Sequence, residues 1–428
     1  MTASAGRAPA ALPADGKVVV VGASLAGWRA VETLRKEGFE GAISLVGDEQ
    51  HLPYDRPPLS KQVLAGTWPP EKAVLADKRR SSELRVHEVL GRRAVRLDVE
   101  GRKVELGDGT VLDGDAIVLT TGAAPRRFPG TDELTQRDGL FTLRTLDDSI
   151  ALRNAVTAHE SPRVVVIGAG FIGAEVASTC AGLGCRVTVL EALDVPLRNV
   201  IGPVLGAHCA SLHGANGVEL RSGVAVHGVH RGPAGGEVGV ATSALVVDLA
   251  GGEALPADVV VVGIGVVPTT GWLADSGLSL ENGVVCDDRL FAAAGIVSAG
   301  DIARWNWRHD GGEELVRIEH WQVAAEAGVA AARSLMAGRA DAAPFAPVPY
   351  FWSDQYGVRL QVLGNPGGDD EVVVSEGSLD HGKFVALFGR AGRLRAAMAI
   401  GMPRQLMGFR PLLERGSSWD DALVHGGS

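Results

Sequence analysis

The chain has 428 residues, of which 46% are hydrophobic and 21% charged, the composition of a globular protein with two or three domains. Its formal net charge of −10 argues against general binding to nucleic acid or to an anionic membrane surface, because both favour a basic protein. No apolar run reaches the roughly 20 residues of a membrane-spanning helix. Residues 1–16, rich in Ala and Pro, are expected to form a disordered extension, not a signal peptide. The four cysteines show no CxxC pair or metal spacing, so we expect no metal site and a reducing, cytoplasmic location.

A first dinucleotide-binding pattern follows the extension. Lys17–Val21 is an apolar run typical of a buried parallel strand, and it leads into the turn Gly22–Gly27 and a helix. A second strand, Ala42–Val46, ends near Asp48, which lies 26 positions beyond the start of the turn and could bind ribose hydroxyls. Because Ser24 replaces the middle glycine, the pattern by itself is also compatible with an ordinary strand-to-helix turn.

The loop His51–Lys61 reads HLPYDRPPLSK, and its prolines make an α-helix unfavourable. It carries Tyr54, Asp55, Arg56 and Lys61 on a stiff backbone. The loop alone is equally compatible with an exposed surface turn and with one wall of a site.

A second dinucleotide-binding pattern is complete. The strand Arg163–Ile167 precedes the three glycines Gly168, Gly170 and Gly173, and a helix follows them. The next strand ends at Glu191, 23 positions beyond the first glycine. A carboxylate there accepts hydrogen bonds from ribose hydroxyls and repels a 2′-phosphate, so we expect NADH to be preferred to NADPH, with Arg198 the nearby cation that could weaken this preference.

Three further apolar stretches, Ala116–Gly122, Asp258–Gly265 and Gly295–Ala303, are typical of buried strands. The last one places Asp301 at the carboxyl edge of a sheet, where ligands of α/β folds bind. Asp301 could instead be the N-cap of a following helix.

The C-terminal part begins with a linker rich in Pro and small residues, Ala340–Pro349. Four strands and one helical stretch are expected after it, over Val358–Leu363, Glu371–Val374, Lys383–Phe388, Leu394–Ile400 and about Arg404–Arg415. These elements predict a small antiparallel sheet with one or two helices, serving either as a lid over a site or as a dimerisation domain.

The order of the elements predicts an α/β fold with two Rossmann-like dinucleotide-binding domains, as in glutathione reductase, and a small α+β C-terminal domain. The motifs GASLAG, PYDRPPLSK, TTG, LRTLDD, GAGFIGAE, GIGVVP, SAGDIA, RIEHW and YFWSDQYG occur in this order. In these motifs the chain resembles the FAD-dependent NADH:ferredoxin reductases of oxygenase systems, the group of putidaredoxin reductase, rhodocoxin reductase and the biphenyl dioxygenase reductases.

This resemblance implies a flavoprotein that passes electrons from NADH through FAD to an iron–sulfur ferredoxin serving a monooxygenase or dioxygenase, acting as a monomer or weak homodimer. It implies a discontinuous FAD-binding domain over residues 17–125 and 257–339, an NAD-binding domain over 126–256, and a C-terminal reductase domain over 340–428.

The resemblance also assigns site residues. The FAD contacts it implies are Gly22, Ser24, Leu25, Ala26, Gly27, Asp48, Arg56, Lys61, Ala94, Thr121, Gly122, Arg144, Asp301 and Trp321. The NAD contacts it implies are Gly168, Gly170, Phe171, Ile172, Gly173, Glu175, Glu191 and Gly265. Lys61 is expected beside the flavin as a catalytic residue, with Glu175 pairing with it across the flavin.

Plainer interpretations of three side chains remain open. Glu175 could be a solvent-facing acid in a first helical turn, and Trp321 could be ordinary core packing. His320 is expected to be a structural histidine, because hydride transfer from NADH needs no general base.

Two other functions use the same scaffold. An NADH oxidase, peroxide reductase or CoA-disulfide reductase needs a thiolate against the flavin, but the segment from Asp48 to Gly66 contains no cysteine. A redox-signalling flavoprotein like apoptosis-inducing factor is the other alternative, and slow turnover with a long-lived charge-transfer complex would distinguish it.

Overall fold

The computed structural model describes residues 11–232, 244–309 and 312–426. The chain divides into two compact units, and each combines separate stretches of sequence. The first unit comprises Met1–Asp55, Val74–Ala124 and Val267–Tyr350, and the second comprises Arg56–Ala73, Pro125–Val266 and Phe351–Ser428.

The first unit is built on a six-stranded sheet. Its strands lie in the order Phe291–Ala293, Ile296–Ser298, Ala116–Leu119, Lys17–Val21, Ala42–Val46 and Val86–Val89. Neighbouring strands are parallel except for the first pair. Residues of the central strand from Val18 to Val21 are at most 1% exposed, as expected for a strand covered on both faces. The predicted bounds of the strands Lys17–Val21 and Ala42–Val46 are confirmed.

Three α-helices belong to this unit as far as it is described, Leu25–Lys36, Lys78–Glu83 and Trp321–Ala337. The first and the last pack closely because small residues meet at their crossing. A Cβ atom added at Gly328 would lie 2.2 Å from the carbonyl oxygen of Ala26, so the backbones approach in a way that only glycine permits.

Two smaller sheets complete the first unit. One consists of Ala94–Asp98, Lys103–Leu106 and Val111–Asp113, and the other of Val284–Cys286, Ala303–His309 and Gly312–Val316. The expectation of a helix directly after Asp301 is wrong. Asp301 lies in the 3-10 turn Gly300–Ile302, and a strand follows because its alternating Trp305 and Trp307 are buried.

The predicted linker Ala340–Pro349 is held in place by these two tryptophans. The indole N–H of Trp305 donates to the carbonyl of Phe345 at 3.2 Å, and that of Trp307 donates to Pro347 at 3.1 Å. The linker is therefore a packed part of the first unit.

The second unit contains a five-stranded parallel sheet in the order Glu219–Ser222, Arg186–Glu191, Arg163–Ile167, Val259–Val262 and Leu140–Phe141. Its helices are Leu146–Thr157, Phe171–Gly182 and Arg198–Ala215, the last with a kink at Gly202. A three-stranded antiparallel sheet joins Val226–Arg231, Leu245–Leu249 and Ala254–Ala257. The chain passes from one unit to the other within two short strands, Ala123–Pro125 and Val266–Pro268.

The C-terminal sheet of this unit has five strands in the order Tyr350–Gln355, Val358–Gly364, Arg393–Ile400, Lys383–Arg390 and Glu371–Ser378. The four predicted strands are confirmed, and the first was not predicted. The single predicted helical stretch is wrong in detail, because the region forms two short helices, Pro403–Gly408 and Arg410–Glu414, and a further helix, Trp419–Gly426, follows them.

Two stretches make contacts that the sequence did not indicate. Residues 1–10 of the expected extension lie outside the described residues, whereas Leu12 is 8% exposed and its N–H donates to the Leu335 carbonyl at 2.9 Å. The stretch Arg56–Ala73, predicted with the FAD-binding domain, belongs to the second compact unit, because Ser60 and Lys61 bond to the helix Phe171–Gly182. Within the three described ranges, none of the helices is long and apolar enough to cross a membrane.

Candidate functional site

The first glycine-rich turn joins the strand Lys17–Val21 to the helix Leu25–Lys36. Gly22 has φ +124°, and a Cβ atom there would lie 2.1 Å from the Thr120 carbonyl oxygen. A Cβ atom on Gly27 would lie 2.1 Å from the Gly22 carbonyl oxygen. Both positions therefore require glycine for the turn itself, as the dinucleotide-binding pattern predicts.

Ser24 occupies the position of the missing middle glycine. It is the N-cap residue of the helix, with extended backbone at φ −131° and ψ −163°, and its hydroxyl makes no capping hydrogen bond. A residue with a side chain is thus accommodated without backbone strain. The turn fits the pyrophosphate of a dinucleotide, since helix N–H groups and the Ser24 hydroxyl are donors for phosphate oxygens. Leu25 and Ala26 are buried beneath the turn.

Thr120 follows the strand Ala116–Leu119 and joins it to the start of this turn, a role that sequence reasoning missed. Its hydroxyl is within 3.0 Å of the carbonyl oxygens of Val21 and Gly22. The next residue, Thr121, donates to the Thr269 carbonyl at 3.1 Å, and Gly122 has φ +66°. Thr121 and Gly122 therefore lie at the carboxyl edge of the first sheet.

Asp48 lies at the same edge and is more exposed than the buried strand before it. Its side chain is 55% exposed, and it accepts two hydrogen bonds from the Arg93 guanidinium at 2.6 and 3.1 Å. Asp48 also raises the pKa of Arg93 through this hydrogen bond. The predicted contact Ala94 directly follows Arg93, so one arginine links both predicted FAD residues.

Trp321 begins the helix Trp321–Ala337 and is not merely packed in a core. Its indole N–H donates to the Asp55 carboxylate at 2.7 Å. Burial raises the pKa of Asp55, and the hydrogen bond from Trp321 opposes this rise. Asp301 belongs to the same unit, and its backbone carbonyl accepts a hydrogen bond from Arg317 at 3.1 Å. Burial lowers the pKa of His320 to about 4, which keeps its ring neutral at pH 7.

The second glycine-rich turn, in the second unit, repeats the close packing of the first. Gly168 has φ +103°, and a Cβ atom on Gly173 would lie 2.1 Å from the Gly168 carbonyl oxygen. Gly170 differs, because its φ is −69° and a Cβ atom there would meet no protein atom within 4 Å. The absence of a side chain at Gly170 thus leaves open space at the start of a helix, where a phosphate is favoured.

Two apolar residues begin the helix after this turn. The Phe171 ring packs edge-on against Phe351 with centroids 4.9 Å apart, whereas Ile172 is 51% exposed. Gly265 has φ +93°, and its carbonyl accepts the N–H of Arg126 at 2.9 Å. An exposed Ile172 in the first helical turn offers an apolar surface for a ligand.

Glu191 stabilises the second glycine-rich turn through both of its carboxylate oxygens. One carboxylate oxygen accepts the N–H of Ala169 at 2.8 Å and the other accepts the N–H of Leu193 at 2.9 Å. Arg198, the cation that could weaken a preference for NADH, is paired with Asp194. Each oxygen of Glu191 retains a lone pair for a ribose hydroxyl.

Lys61 and Glu175 form a buried ion pair. The Lys61 ammonium lies 3.0 Å from both carboxylate oxygens, and the two side chains are 12% and 4% exposed. The carboxylate accepts three further hydrogen bonds, from the Ser60 hydroxyl at 2.5 Å, the Ser353 hydroxyl at 2.9 Å and the Asp354 N–H at 3.1 Å. In all five contacts the partner group donates the hydrogen bond and the Glu175 carboxylate accepts it.

Glu175 is not a solvent-facing acid, and its carboxylate contacts the Lys61 ammonium directly. Ser60 and Ser353 were missed as partners. Ser60 stood beside Lys61 in the predicted loop, and Ser353 stood in the YFWSDQYG motif, but only the folded chain brings them to Glu175.

Arg56 and Arg144 are brought together in the second unit. The Arg56 guanidinium donates to the Arg144 carbonyl at 2.5 Å. The Arg144 N–H donates to Asp148, which also caps the helix Leu146–Thr157 through Thr145. The loop that carries Arg56 continues as the 3-10 turn Pro57–Ser60 and is anchored where the Ser149 hydroxyl donates to the Leu59 carbonyl at 2.7 Å.

The four cysteines are unpaired, and none lies beside these residues in the chain. Within residues 11–232, 244–309 and 312–426, His, Cys, Asp and Glu side chains form no group of three that could hold a metal ion.

The fold and its two glycine-rich turns define an α/β protein with two dinucleotide-binding folds. Known families agree: the family described as pyridine nucleotide-disulphide oxidoreductase matches residues 16–328, and the reductase C-terminal family matches residues 350–426. The chain belongs to the pyridine nucleotide-disulphide oxidoreductase family.

Relatives cover nearly the whole chain. Rhodocoxin reductase of Rhodococcus erythropolis is 35% identical over 397 residues, which cover 92% of this chain and 89% of the relative. The benzene 1,2-dioxygenase system ferredoxin–NAD(+) reductase subunit of Pseudomonas putida is 35% identical, with coverage of 93% and 92%. The crystal structure of the covalent putidaredoxin reductase–putidaredoxin complex superposes with a TM-score of 0.86 at 30% identity and covers 96% of both chains. The resemblance inferred from the motifs is confirmed.

Proposed function

We propose that the chain is an NADH-dependent ferredoxin reductase, which passes electrons from NADH through FAD to an iron–sulfur ferredoxin of a monooxygenase or dioxygenase system. The observation that carries the proposal is the buried ion pair between Lys61 and Glu175, whose glutamate lies on the helix that begins at the second glycine-rich turn. A relative named as a ferredoxin–NAD(+) reductase, matched over more than nine-tenths of the chain, supports the same function.

Bound FAD would supply the redox chemistry that links a hydride donor to a one-electron acceptor. The role of the protein is to bind FAD and NADH and to orient them. In the proposed assignment, Gly22, Gly27 and the Ser24 hydroxyl form the pyrophosphate turn for FAD, and Asp48 binds its ribose. The remaining assigned FAD contacts are Leu25, Ala26, Arg56, Lys61, Ala94, Thr121, Gly122, Arg144, Asp301 and Trp321.

For NADH, the proposed contacts are Gly168, Gly170, Phe171, Ile172, Gly173, Glu175, Glu191 and Gly265. Lys61 and Glu175 are the proposed catalytic pair. Glu175 holds the Lys61 ammonium in one position, and Lys61 places a positive charge where negative charge gathers as electrons arrive.

The chain's cysteines argue against a disulfide or peroxide substrate. That chemistry needs a reactive thiolate. Burial raises the pKa of Cys209 to about 12 and also raises the pKa of Cys286. A hydrogen bond with Cys180 lowers the pKa of Cys185, but Cys185 lies beyond the end of the helix Phe171–Gly182, with its sulfur against the Val156 carbonyl. The segment that carries Lys61 contains no thiol between Asp48 and Gly66. A single-electron acceptor fits this site better.

We propose that the protein works in the cytoplasm as a monomer or weak homodimer. Four unpaired cysteines support a reducing compartment.

An absorbance spectrum of the purified protein, followed by stopped-flow mixing with NADH, tests the proposal. Flavin absorbance bleached by NADH and restored by a 2Fe–2S ferredoxin is the expected result. Glutathione disulfide and hydrogen peroxide serve as comparison acceptors. Faster reoxidation by either of these than by ferredoxin contradicts the proposal.

A further inference from the structure

The first strand of the C-terminal sheet, Tyr350–Gln355, turns one face towards the helix that carries Glu175. Phe351, Ser353 and Gln355 alternate along this strand and are 9%, 0% and 1% exposed. Such alternation places the three side chains on one face. Phe351 packs on the Phe171 ring, and at the end of the strand the Tyr356 N–H donates to the Ser178 hydroxyl at 2.7 Å.

Ser353 connects this strand to the ion pair. The Gln355 side-chain amide donates to the Ser353 hydroxyl oxygen at 3.1 Å, and the Ser353 hydroxyl donates to Glu175 at 2.9 Å. An amide nitrogen can only donate, so the serine oxygen must accept from Gln355. The serine proton is thereby left for Glu175, and the hydroxyl has one orientation.

Exposure falls steadily along this chain of contacts. Lys61 is 12% exposed in its side chain and Glu175 4%, while Ser353 is completely buried. Ser353 therefore cannot touch a nucleotide, and any influence it has on a ligand passes through Glu175 and Lys61.

We propose that Ser353, oriented by Gln355, is a positioning residue that fixes the Glu175 carboxylate and, through it, the Lys61 ammonium during flavin reduction by NADH. The Glu175 oxygen that Ser353 contacts also accepts from Lys61 and from the Asp354 N–H. Loss of the hydroxyl frees this carboxylate to rotate and disturbs the equal 3.0 Å contacts of Lys61 with both oxygens.

This proposal rests on the proposed function, so its test uses a half-reaction that needs no ferredoxin. Flavin bleaching by NADH in the stopped-flow instrument yields a limiting rate and an apparent Kd for NADH. For Ser353→Ala we expect the limiting rate to fall about tenfold, the effect of one hydrogen bond to a charged group, with the Kd within about twofold. A failure of ferredoxin reduction alone would leave this measurement intact.

Conservative variants separate positioning from mere packing. Ser353→Thr keeps the hydroxyl and should restore most of the rate, whereas Ser353→Cys keeps the size but offers only a weak donor and should stay slow. Ser375→Ala is the matched control in the same C-terminal sheet. Its hydroxyl donates to the Val385 carbonyl at 3.3 Å and does not contact Glu175, so the rate should not change.

A double-mutant cycle gives the decisive comparison, in rate and in thermal unfolding. If Ser353 acts through Glu175, Ser353→Ala should slow flavin reduction in the wild type but add almost nothing to Glu175→Gln. The unfolding temperatures of the same variants, measured without added nucleotide, should show the same non-additivity. Independent effects in both measurements, or an unchanged rate in Ser353→Ala, overturn the proposal. Should Ser353→Ala fail to fold, Ser353→Cys against Ser353→Thr supplies the same comparison.

Discussion

Glu175 and Lys61 meet through both carboxylate oxygens at 3.0 Å, although they lie 114 residues apart in the chain. The pair is buried, and Glu175 accepts hydrogen bonds from donors in two separate stretches of the second unit. In such a place each partner stabilises the other, because an isolated charge in a protein interior is costly.

Lys61→Met should therefore do more than slow flavin reduction. It leaves Glu175 buried without its cation, which costs about 3–5 kcal/mol of stability for a buried pair. Lys61→Met/Glu175→Gln removes both charges and should recover part of the thermal stability, though not the rate. Lys17→Met is the matched control, because Lys17 and Asp113 are 58% and 62% exposed, and its unfolding temperature should not change. Equal unfolding temperatures for the single and double variants would contradict this account.

Substitutions at the glycines of the second turn should distinguish an effect on folding from an effect on ligand binding. The Cβ atom of Gly170→Ala would meet no protein atom within 4 Å, so the variant should fold normally. It should bind NADH roughly tenfold more weakly, because the added methyl group blocks the approach of the phosphate. Gly173→Ala should lose stability as well, because its Cβ would lie 2.1 Å from a carbonyl oxygen.

Gly182→Ala, at the end of the same helix, is the control. Its added methyl also meets nothing within 4 Å, and alanine should stabilise the helix by about 0.5–1 kcal/mol. Thermal unfolding and NADH titration of the three variants give the comparison. Normal NADH affinity in Gly170→Ala would show that no dinucleotide phosphate approaches this residue.

The local parts of the fold were predictable because their signals are local. The run of valines before Gly22 and the complete glycine pattern after Arg163–Ile167 each specify a strand and a turn within a few residues. The same reasoning failed at Asp301, where an acid after an apolar run is typical of a helix cap. Only the burial of the following tryptophans on a sheet explains the strand that forms there.

The charged residues of the site could be predicted from the sequence, whereas the hydroxyl groups that donate to Glu175 could not. Lys61 and Glu175 stood in recognisable motifs, whereas the Ser60 and Ser353 contacts with Glu175 span 115 and 178 residues. No periodicity connects positions so far apart. Arg93 was missed for a similar reason, since it reaches Asp48 across 45 residues.

Nucleotide preference should depend on more than the charge of Glu191. Glu191→Gln removes the charge and keeps one side-chain oxygen, which can accept from the N–H of Ala169 or of Leu193 but not from both, since these bind different oxygens. NADPH should therefore be used better, and the turn should be weakened less than in Glu191→Ala. Glu191→Ala removes both acceptors, so kcat/KM for NADH should also fall, by tenfold or more for two unsatisfied donors at about 1–3 kcal/mol each.

A second substitution tests the role of Arg198 in the same preference. Asp194→Asn weakens the partner of Arg198 and frees its guanidinium for a 2′-phosphate. Glu191→Gln/Asp194→Asn should therefore favour NADPH more than Glu191→Gln alone. The ratio of kcat/KM for the two nucleotides measures the effect, and an unchanged ratio across all variants would remove Glu191 from the nucleotide site.

The buried His213 should make the protein sensitive to acid. It is 1% exposed, its Nδ1 lies 2.8 Å from the Tyr356 hydroxyl, and burial lowers its pKa to about 4. The unfolded chain binds this proton near pH 6.5, whereas the folded chain does so only near pH 4. The unfolded state thus holds more protons between these values, so stability falls as pH falls from about 6.5 to 4 and is constant above that window, with a total loss of about 3 kcal/mol.

His213→Gln should flatten this part of the pH profile. Glutamine cannot titrate, and its carbonyl oxygen can still accept a hydrogen bond from the Tyr356 hydroxyl, so the contact survives while the proton linkage disappears. His320, whose pKa burial also lowers to about 4, remains, and some acid sensitivity should persist. Unfolding temperatures at pH 7.5, 6 and 5, with the exposed His159→Gln as control, measure the change. If His213→Gln loses as many degrees between pH 7.5 and pH 5 as the wild type, His213 is not the group responsible.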